Sequence, residues 1–200
     1  MKHRKRNSFA EAGAKHLIDK ILGYDSSTQA ELKETPRRLA DLYDDMTEGL
    51  KIDIKQFFRP LPSQHDQMIV VKDIEFVSMC EHHWWPFFGK VHIAYIPNGK
   101  IIGLSKFHSA VRAIARRPQL QERMTSELAD SINDALQPKG VMVVVEARHT
   151  CMMVGGRYDY GMPAHTNSIT KTSVVKGVFL VFEAPRMEAL SLIYGGEKHE

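Results

Sequence analysis

Two cysteines in a chain of 200 residues, each beside a histidine, restrict this sequence more than any other feature. Cys80-Glu81-His82-His83 places a thiol and an imidazole three residues apart, and His149-Thr150-Cys151 supplies a second thiol next to a third imidazole. Thiolate and imidazole nitrogen are the usual zinc ligands, and a C-x-x-H pair delivers two of them from one turn. The reading is that Cys80, His83 and Cys151 hold one zinc ion and leave its fourth position to water, the mark of a catalytic site. In the competing geometry His82 or His149 closes the site as a fourth ligand. A fold that satisfies either must bring positions 71 apart (151 − 80) to one point.

The pattern around these residues suggests how. Residues 68–79 and 87–96 read as strands, the first bending near Asp73, and the apolar run 141–147 reads as a buried central strand. The strands end at Cys80 and His149, where a scaffold can hold ligands rigidly. Pro97-Asn98-Gly99-Lys100 reads as a hairpin turn into 101–104. Ser105 is expected to cap a helix over 106–116, and Pro118 to open another over 119–136, with Leu120, Met124, Leu128, Ile132 and Leu136 inward. Residues 168–173 and 174–182 read as two strands or one bent one, followed by a short helix or tail.

The first quarter has helical spacing instead. Ser8 with Glu11 forms a capping-box pattern for a helix over 8–22, and Gly23 is its stop. A helix is expected over 28–34, and Thr35-Pro36 opens another that Gly49 ends. The fold class is therefore α+β: an antiparallel sheet with helices on one face, plus an N-terminal helical segment. The domain reading is a basic flexible tail over 1–7, the helical segment over 8–63 and the main domain over 64–200.

Composition excludes several classes. The formal charge of +3 is concentrated in Lys2, Arg4, Lys5 and Arg6, with no nucleic-acid-binding motif behind them, so no nucleic-acid partner is expected. No apolar run approaches the ~20 residues of a membrane span, and no signal peptide is visible. Two cysteines without an export signal suggest the cytoplasm, where they serve as ligands or buried thiols rather than a disulfide.

Several motifs, in order, resemble the GTP cyclohydrolase I family. They are Thr35-Pro36-x-Arg38, Cys80-Glu81-His82-His83, Ile102-Gly103-Leu104-Ser105-Lys106, Arg117-Pro118-Gln119-Leu120-Gln121-Glu122-Arg123, Val144 to Cys151, and Lys176-Gly177-Val178-Phe179. The resemblance spans about residues 8–182. It implies a tunnelling fold assembled as a homo-oligomer, usually a decamer, with active sites at subunit interfaces. It also implies a purine substrate: GTP and water give 7,8-dihydroneopterin triphosphate and formate. By matching position, Cys80, His83 and Cys151 would bind zinc, His82 and His149 would be catalytic, Gln121 and Glu122 would bind guanine, and Ser105 and Lys106 would lie at the phosphate end.

Three positions depart from the family pattern. Ser109 and Gly155 stand where the family has triphosphate-binding arginines, and Ile169 stands where a lysine is usual. A charge-assisted hydrogen bond from an arginine to phosphate is worth roughly 1.5–3 kcal/mol, so two such replacements weaken a triphosphate site considerably. Arg112 and Arg157 are candidate replacements, with Lys171 and Lys176 the remaining cations. The alternatives to GTP hydrolysis are a paralogue acting on a guanine-type compound with fewer or no phosphates, and a non-catalytic zinc-stabilised binding subunit.

Overall fold

The computed structural model describes residues 7–153 and 168–195. The chain divides into two compact units between Glu48 and Gly49.

In the first unit, α1 (Ser8–Leu22) starts where expected but takes Asn7 as its cap, whose Oδ1 accepts from the Ala10 N–H at 3.1 Å. The Glu11 N–H, the donor that a Ser8 capping box would need, is taken by the Asn7 carbonyl at 3.0 Å. Gly23, at φ 75°, closes the helix by donating to the Asp19 carbonyl. The helix expected over 28–34 does not form. Asp25 instead caps a 3-10 turn, Ser26–Thr28, and Lys15 bridges Asp19 and Asp25, which ties this connection back to α1. Helix α2 (Thr35–Thr47) follows, with Pro36 in its first turn where a missing N–H is harmless.

The second unit is the sheet and its helices. In chain order it holds β1 (Leu61–Pro62), β2 (Ile69–Cys80), β3 (Pro86–Ile96), β4 (Lys100–Ile101), α3 (Leu104–Ala115), β5 (Pro118–Gln119), α4 (Gln121–Leu136), β6 (Gly140–His149), α5 (Thr150–Met153), β7 (Thr170–Gly177), α6 (Val178–Val181) and α7 (Glu183–Tyr194). The main sheet has the order β5-β2-β3-β6-β7, antiparallel except where β5 joins β2. The α+β class read from the sequence holds.

Strand alternation sorts the core. Val91, Ile93, Tyr95, Val141, Val143 and Val145 point to one face, where α3 and α4 cover them with Phe107, Val111, Ile114, Met124, Leu128 and Ile132. All twelve are fully buried, and each apolar side chain so placed stabilises by about 1.5–3 kcal/mol against exposure. Ala94, Met142 and Val144 point to the other face, where Phe179, Ala189 and Ile193 of α6 and α7 pack on them. The segment read as a short helix or tail is thus a second, smaller cover.

Three local expectations are corrected. Residues 97–100 do not lead into a hairpin with β3, because β4 pairs with β1. The chain must leave the sheet there to bury Ile102, which is 2% exposed. Pro118 does not open α4: Pro118 and Gln119 lie parallel to Met79 and Cys80, and the helix begins at Gln121. Residues 178–181 are helical rather than extended. The last ladder pair is Gly140 with Gly177, so β7 has no partner strand beyond it. Gly177 sits at φ 61°, where a Cβ would stand 2.2 Å from the Lys139 carbonyl oxygen, so the turn into α6 requires glycine. None of the described helices is long and apolar enough to cross a membrane.

Candidate metal centre and active site

Cys80 is the last residue of β2, and a tight turn follows it. The Cys80 N–H donates to Trp85 O and the Trp84 N–H to Cys80 O, both at 2.8 Å, with Trp84 at φ 56°. The Glu81 N–H donates to Gln119 O at 3.1 Å, so β5 braces the turn. Arg123, in the first turn of α4, adds an ion pair to Glu81 while its Nε donates to Gln119 Oε1. This turn sets His83 back over Cys80, with Nδ1 3.5 Å from Sγ.

The register of β3 and β6 brings the second motif to the same end of the sheet. Phe87 pairs with His149, and their rings stack at 4.7 Å with an interplanar angle of 6°. The Thr150 hydroxyl donates to Pro86 O, anchoring α5 and with it Cys151. The ligand atoms of Cys80, His83 and Cys151 all lie within 4.8 Å of one another. Tetrahedral zinc, with Zn–S near 2.3 Å and Zn–N near 2.05 Å, requires S···N of roughly 3.5 Å and S···S of roughly 3.8 Å. The donor set fits such an ion with little adjustment. Burial pushes the Cys151 thiol up, and the neighbouring Cys80 adds to this. The Cys151 thiol so placed resists ionisation, and a divalent cation beside it would reverse that preference.

His149 is held from both sides. Its Nε2 lies 2.8 Å from Gln121 Oε1. The Gln121 Nε2 is aimed at Val145 O, Thr170 O and Thr172 Oγ1, which fixes that end as the amide nitrogen. Gln121 therefore accepts, His149 Nε2 carries a proton, and among the described residues Nδ1 of the neutral ring has no hydrogen-bond partner. Burial lowers the His149 pKa, against a smaller upward pull from Glu122. Gln121 itself is 2% exposed, and its amide is committed to the protein. Glu122, one residue on, is exposed and near enough to act on His149.

His82 is exposed on the turn, its ring 6.1 Å from that of His83. Ser105 and Lys106 occupy the exposed first turn of α3. Among the described residues no hydrogen bond joins either side chain to the cysteine–histidine cluster. The Ser105 carbonyl accepts from the Ser109 hydroxyl at 3.2 Å.

The model of the GTP cyclohydrolase I family matches residues 10–194. The GTP cyclohydrolase 1 of Geobacillus kaustophilus is 50% identical over 182 residues, covering 90% of this chain and 93% of that protein. The chain belongs to the GTP cyclohydrolase I family. The GTP cyclohydrolase 1 of Halalkalibacterium halodurans is 47% identical over 181 residues, with 90% and 93% covered. That of Carboxydothermus hydrogenoformans is 45% identical over 182 residues, with 90% and 91% covered. A solved structure, the archaeosine synthase QueF-Like in the apo form, aligns at TM-score 0.44 and 18% identity over 55% of this chain and 93% of that one, and adds nothing to the assignment.

Against the family pattern, the cations named for the departed arginines fall in three places. Arg112 lies one turn past Ser109 and lines a cavity of about 740 Å³ with His108, Arg116, Glu75 and Lys90. Lys171 is paired with Glu146 at 2.8 Å and Lys176 with Asp130 at 2.6 Å. Gly155 and Arg157 lie outside the described residues. Sequence reasoning missed the Phe87 stack, the Arg123–Glu81 brace and the Thr170 and Thr172 acceptors. Phe87, Thr170 and Thr172 lie in none of the matched motifs, and Glu81 and Arg123 lie in two separate ones that give no sign of their pairing; only the folded chain brings them together.

Proposed function

We propose that this chain is a zinc-dependent GTP cyclohydrolase I, converting GTP and water to 7,8-dihydroneopterin triphosphate and formate. The convergence of Cys80, His83 and Cys151 within 4.8 Å carries the reading. Relatives near 50% identity with the name GTP cyclohydrolase 1 favour this substrate over a dephosphorylated purine. Zinc bound by the three residues would supply Lewis acidity and a nucleophile at neutral pH.

The remaining chemistry falls to the chain's own groups. Opening the five-membered ring of guanine requires a proton on the nitrogen that leaves. His149 offers Nδ1 for proton transfer because Gln121 retains the Nε2 proton. His82 supplies a second imidazole on the turn. The Glu122 carboxylate accepts from the guanine ring N–H and exocyclic amine, and an adenine edge would leave it unpaired. Gln121 acts on substrate only through the backbone or through His149, since its amide is engaged. Ser105 and Lys106 would receive phosphate from the first turn of α3. We assign catalysis to residues 64–200 and infer a homo-oligomer, a decamer by family resemblance, in which a neighbouring copy completes the phosphate end.

Formate release from GTP, GMP, guanosine and guanine tests the reading. Turnover of GTP at micromolar concentration, with the dephosphorylated compounds far slower, is expected. Turnover of GMP or guanosine in preference to GTP would assign the chain to the paralogue reading. No formate from any purine by zinc-loaded protein would assign it to a binding subunit.

A further inference from the structure

Two threonine hydroxyls stand behind the amide that holds His149. Thr125 lies one turn along α4 from Gln121 and is fully buried. Thr172 faces it from β7, half-buried, opposite Val145 in the ladder. Thr125 Oγ1 is 2.7 Å from the Gln121 carbonyl oxygen and 2.7 Å from Thr172 Oγ1. Gln121 Nε2 returns to Thr172 Oγ1 at 3.2 Å, so these contacts close a ring that starts and ends on Gln121.

The hydrogens in this ring run one way. A hydroxyl has one hydrogen to give. The Gln121 carbonyl can only accept, so the Thr125 hydrogen goes there, and the Thr172 hydroxyl donates to Thr125 Oγ1. The opposite order would leave two acceptor oxygens 2.7 Å apart, buried, with no hydrogen between them. Thr172 therefore shows only a lone pair to the Gln121 amide. Val145 O and Thr170 O, each 3.0 Å from Nε2, show lone pairs as well.

An amide turned end for end would aim Nε2 at His149 and its oxygen at those three acceptors. His149 Nε2 would then have to accept, and the neutral ring would carry its proton on Nδ1. Val145 and Thr170 oppose the turn through backbone carbonyls, whatever their side chains. Thr172 is the member of the three that could assist it, by rotating its hydroxyl to donate to the turned oxygen. Thr125 prevents that rotation by holding the Thr172 hydrogen.

We propose that Thr125 and Thr172 are positioning residues for His149. Together they hold the Gln121 amide in one orientation and so keep the His149 Nδ1 lone pair available for proton transfer. The catalytic consequence rests on His149 acting as an acid–base group; the orientation of the amide does not.

Solid-state NMR of the zinc-loaded protein carrying isotope-labelled histidine reads the tautomer, with His149→Gln identifying the His149 signals. In the parent the neutral ring should carry its proton on Nε2. In Thr125→Val and in Thr172→Val part of that proton should move to Nδ1. At unchanged KM and zinc content, kcat for GTP should fall roughly threefold to tenfold, the factor one net hydrogen bond is worth. Thr172→Ser, which keeps the hydroxyl, should restore both. Should Thr125→Val fail to fold, the two variants of half-buried Thr172 carry the comparison. Ring signals in the valine variants that match the parent's would overturn the proposal, whatever happens to kcat. So would a Thr172→Ser protein as impaired as Thr172→Val, or a loss that falls on KM alone. A parent that releases no formate from GTP would overturn the catalytic reading instead, and the tautomer comparison would still decide whether the two threonines hold the amide.

Discussion

His149 and His92 lie in the same sheet, on β6 and its neighbour β3, yet the fold treats them oppositely. Each has one ring nitrogen fixed by the protein. Gln121 accepts from His149 Nε2, and the Asp73 backbone donates to His92 Nδ1. The first arrangement leaves the Nδ1 lone pair without a hydrogen-bond partner among the described residues, on a ring two positions before Cys151. The second leaves an N–H buried with no acceptor among the described residues. A histidine's chemistry is thus set less by its own ring than by whether the group behind it donates or accepts. The two regions also differ in construction. The cysteine–histidine end is assembled from strand termini and tight turns, while His92 is held by a bulge inside a strand.

The largest effect should follow from removing the cation's anchor. Cys151→Ala is expected to lose both zinc, by metal analysis, and formate release from GTP. A variant still fully loaded would show that the three residues are not the ligand set. Next is His149→Gln, which should lower kcat by roughly 10²–10⁴-fold, the usual contribution of a positioned acid–base group, with zinc content unchanged. Gln121→Leu should follow at roughly 10–100-fold in kcat, as for other groups that orient an active imidazole. Its effect should fall on kcat rather than KM; a change confined to KM would mean that Gln121 contacts substrate instead.

At the other histidine the expected effect is on stability. Burial lowers the folded-state pKa of His92, Glu146 and Asp73 oppose this, and Lys90 and Lys72 add to it. Above the unfolded value near 6.5 neither state holds the proton. As pH falls through that value the unfolded chain takes up a proton that the folded chain resists, so folded stability drops. Urea midpoints should therefore fall between pH 7 and pH 5.5, and fall less in His92→Phe. An equal slope in the variant would remove His92 from the account. Lys90→Met should have the smallest effect, under ~1 kcal/mol in urea unfolding at neutral pH, because its pair with Asp73 is solvent-exposed on both sides.

Much of the metal site is legible in the sequence. A thiol–imidazole pair at C-x-x-H spacing and a second thiol beside a histidine announce ligand chemistry, and alternation in 68–79 and 141–147 announces the strands that carry them. The bend near Asp73 is visible too, although not its purpose. What stays hidden is where residues without motifs fall. Gln121 sits in a matched motif as a candidate substrate contact, yet its side chain reaches across to β6 and β7. His92 reads as one more residue of an alternating strand. Pro118 reads as a helix start because local preference favours it there, but pairing with Met79 outweighs that preference.

Most of the elements, their apolar faces and the candidate metal-binding side chains can be read from the sequence alone, because periodicity and ligand chemistry are properties of short stretches of chain. Three-dimensional packing was needed to settle which nitrogen of His149 and of His92 the protein engages and which amide is already committed. Those depend on strand register, and a register shift of one residue exchanges every partner across the sheet.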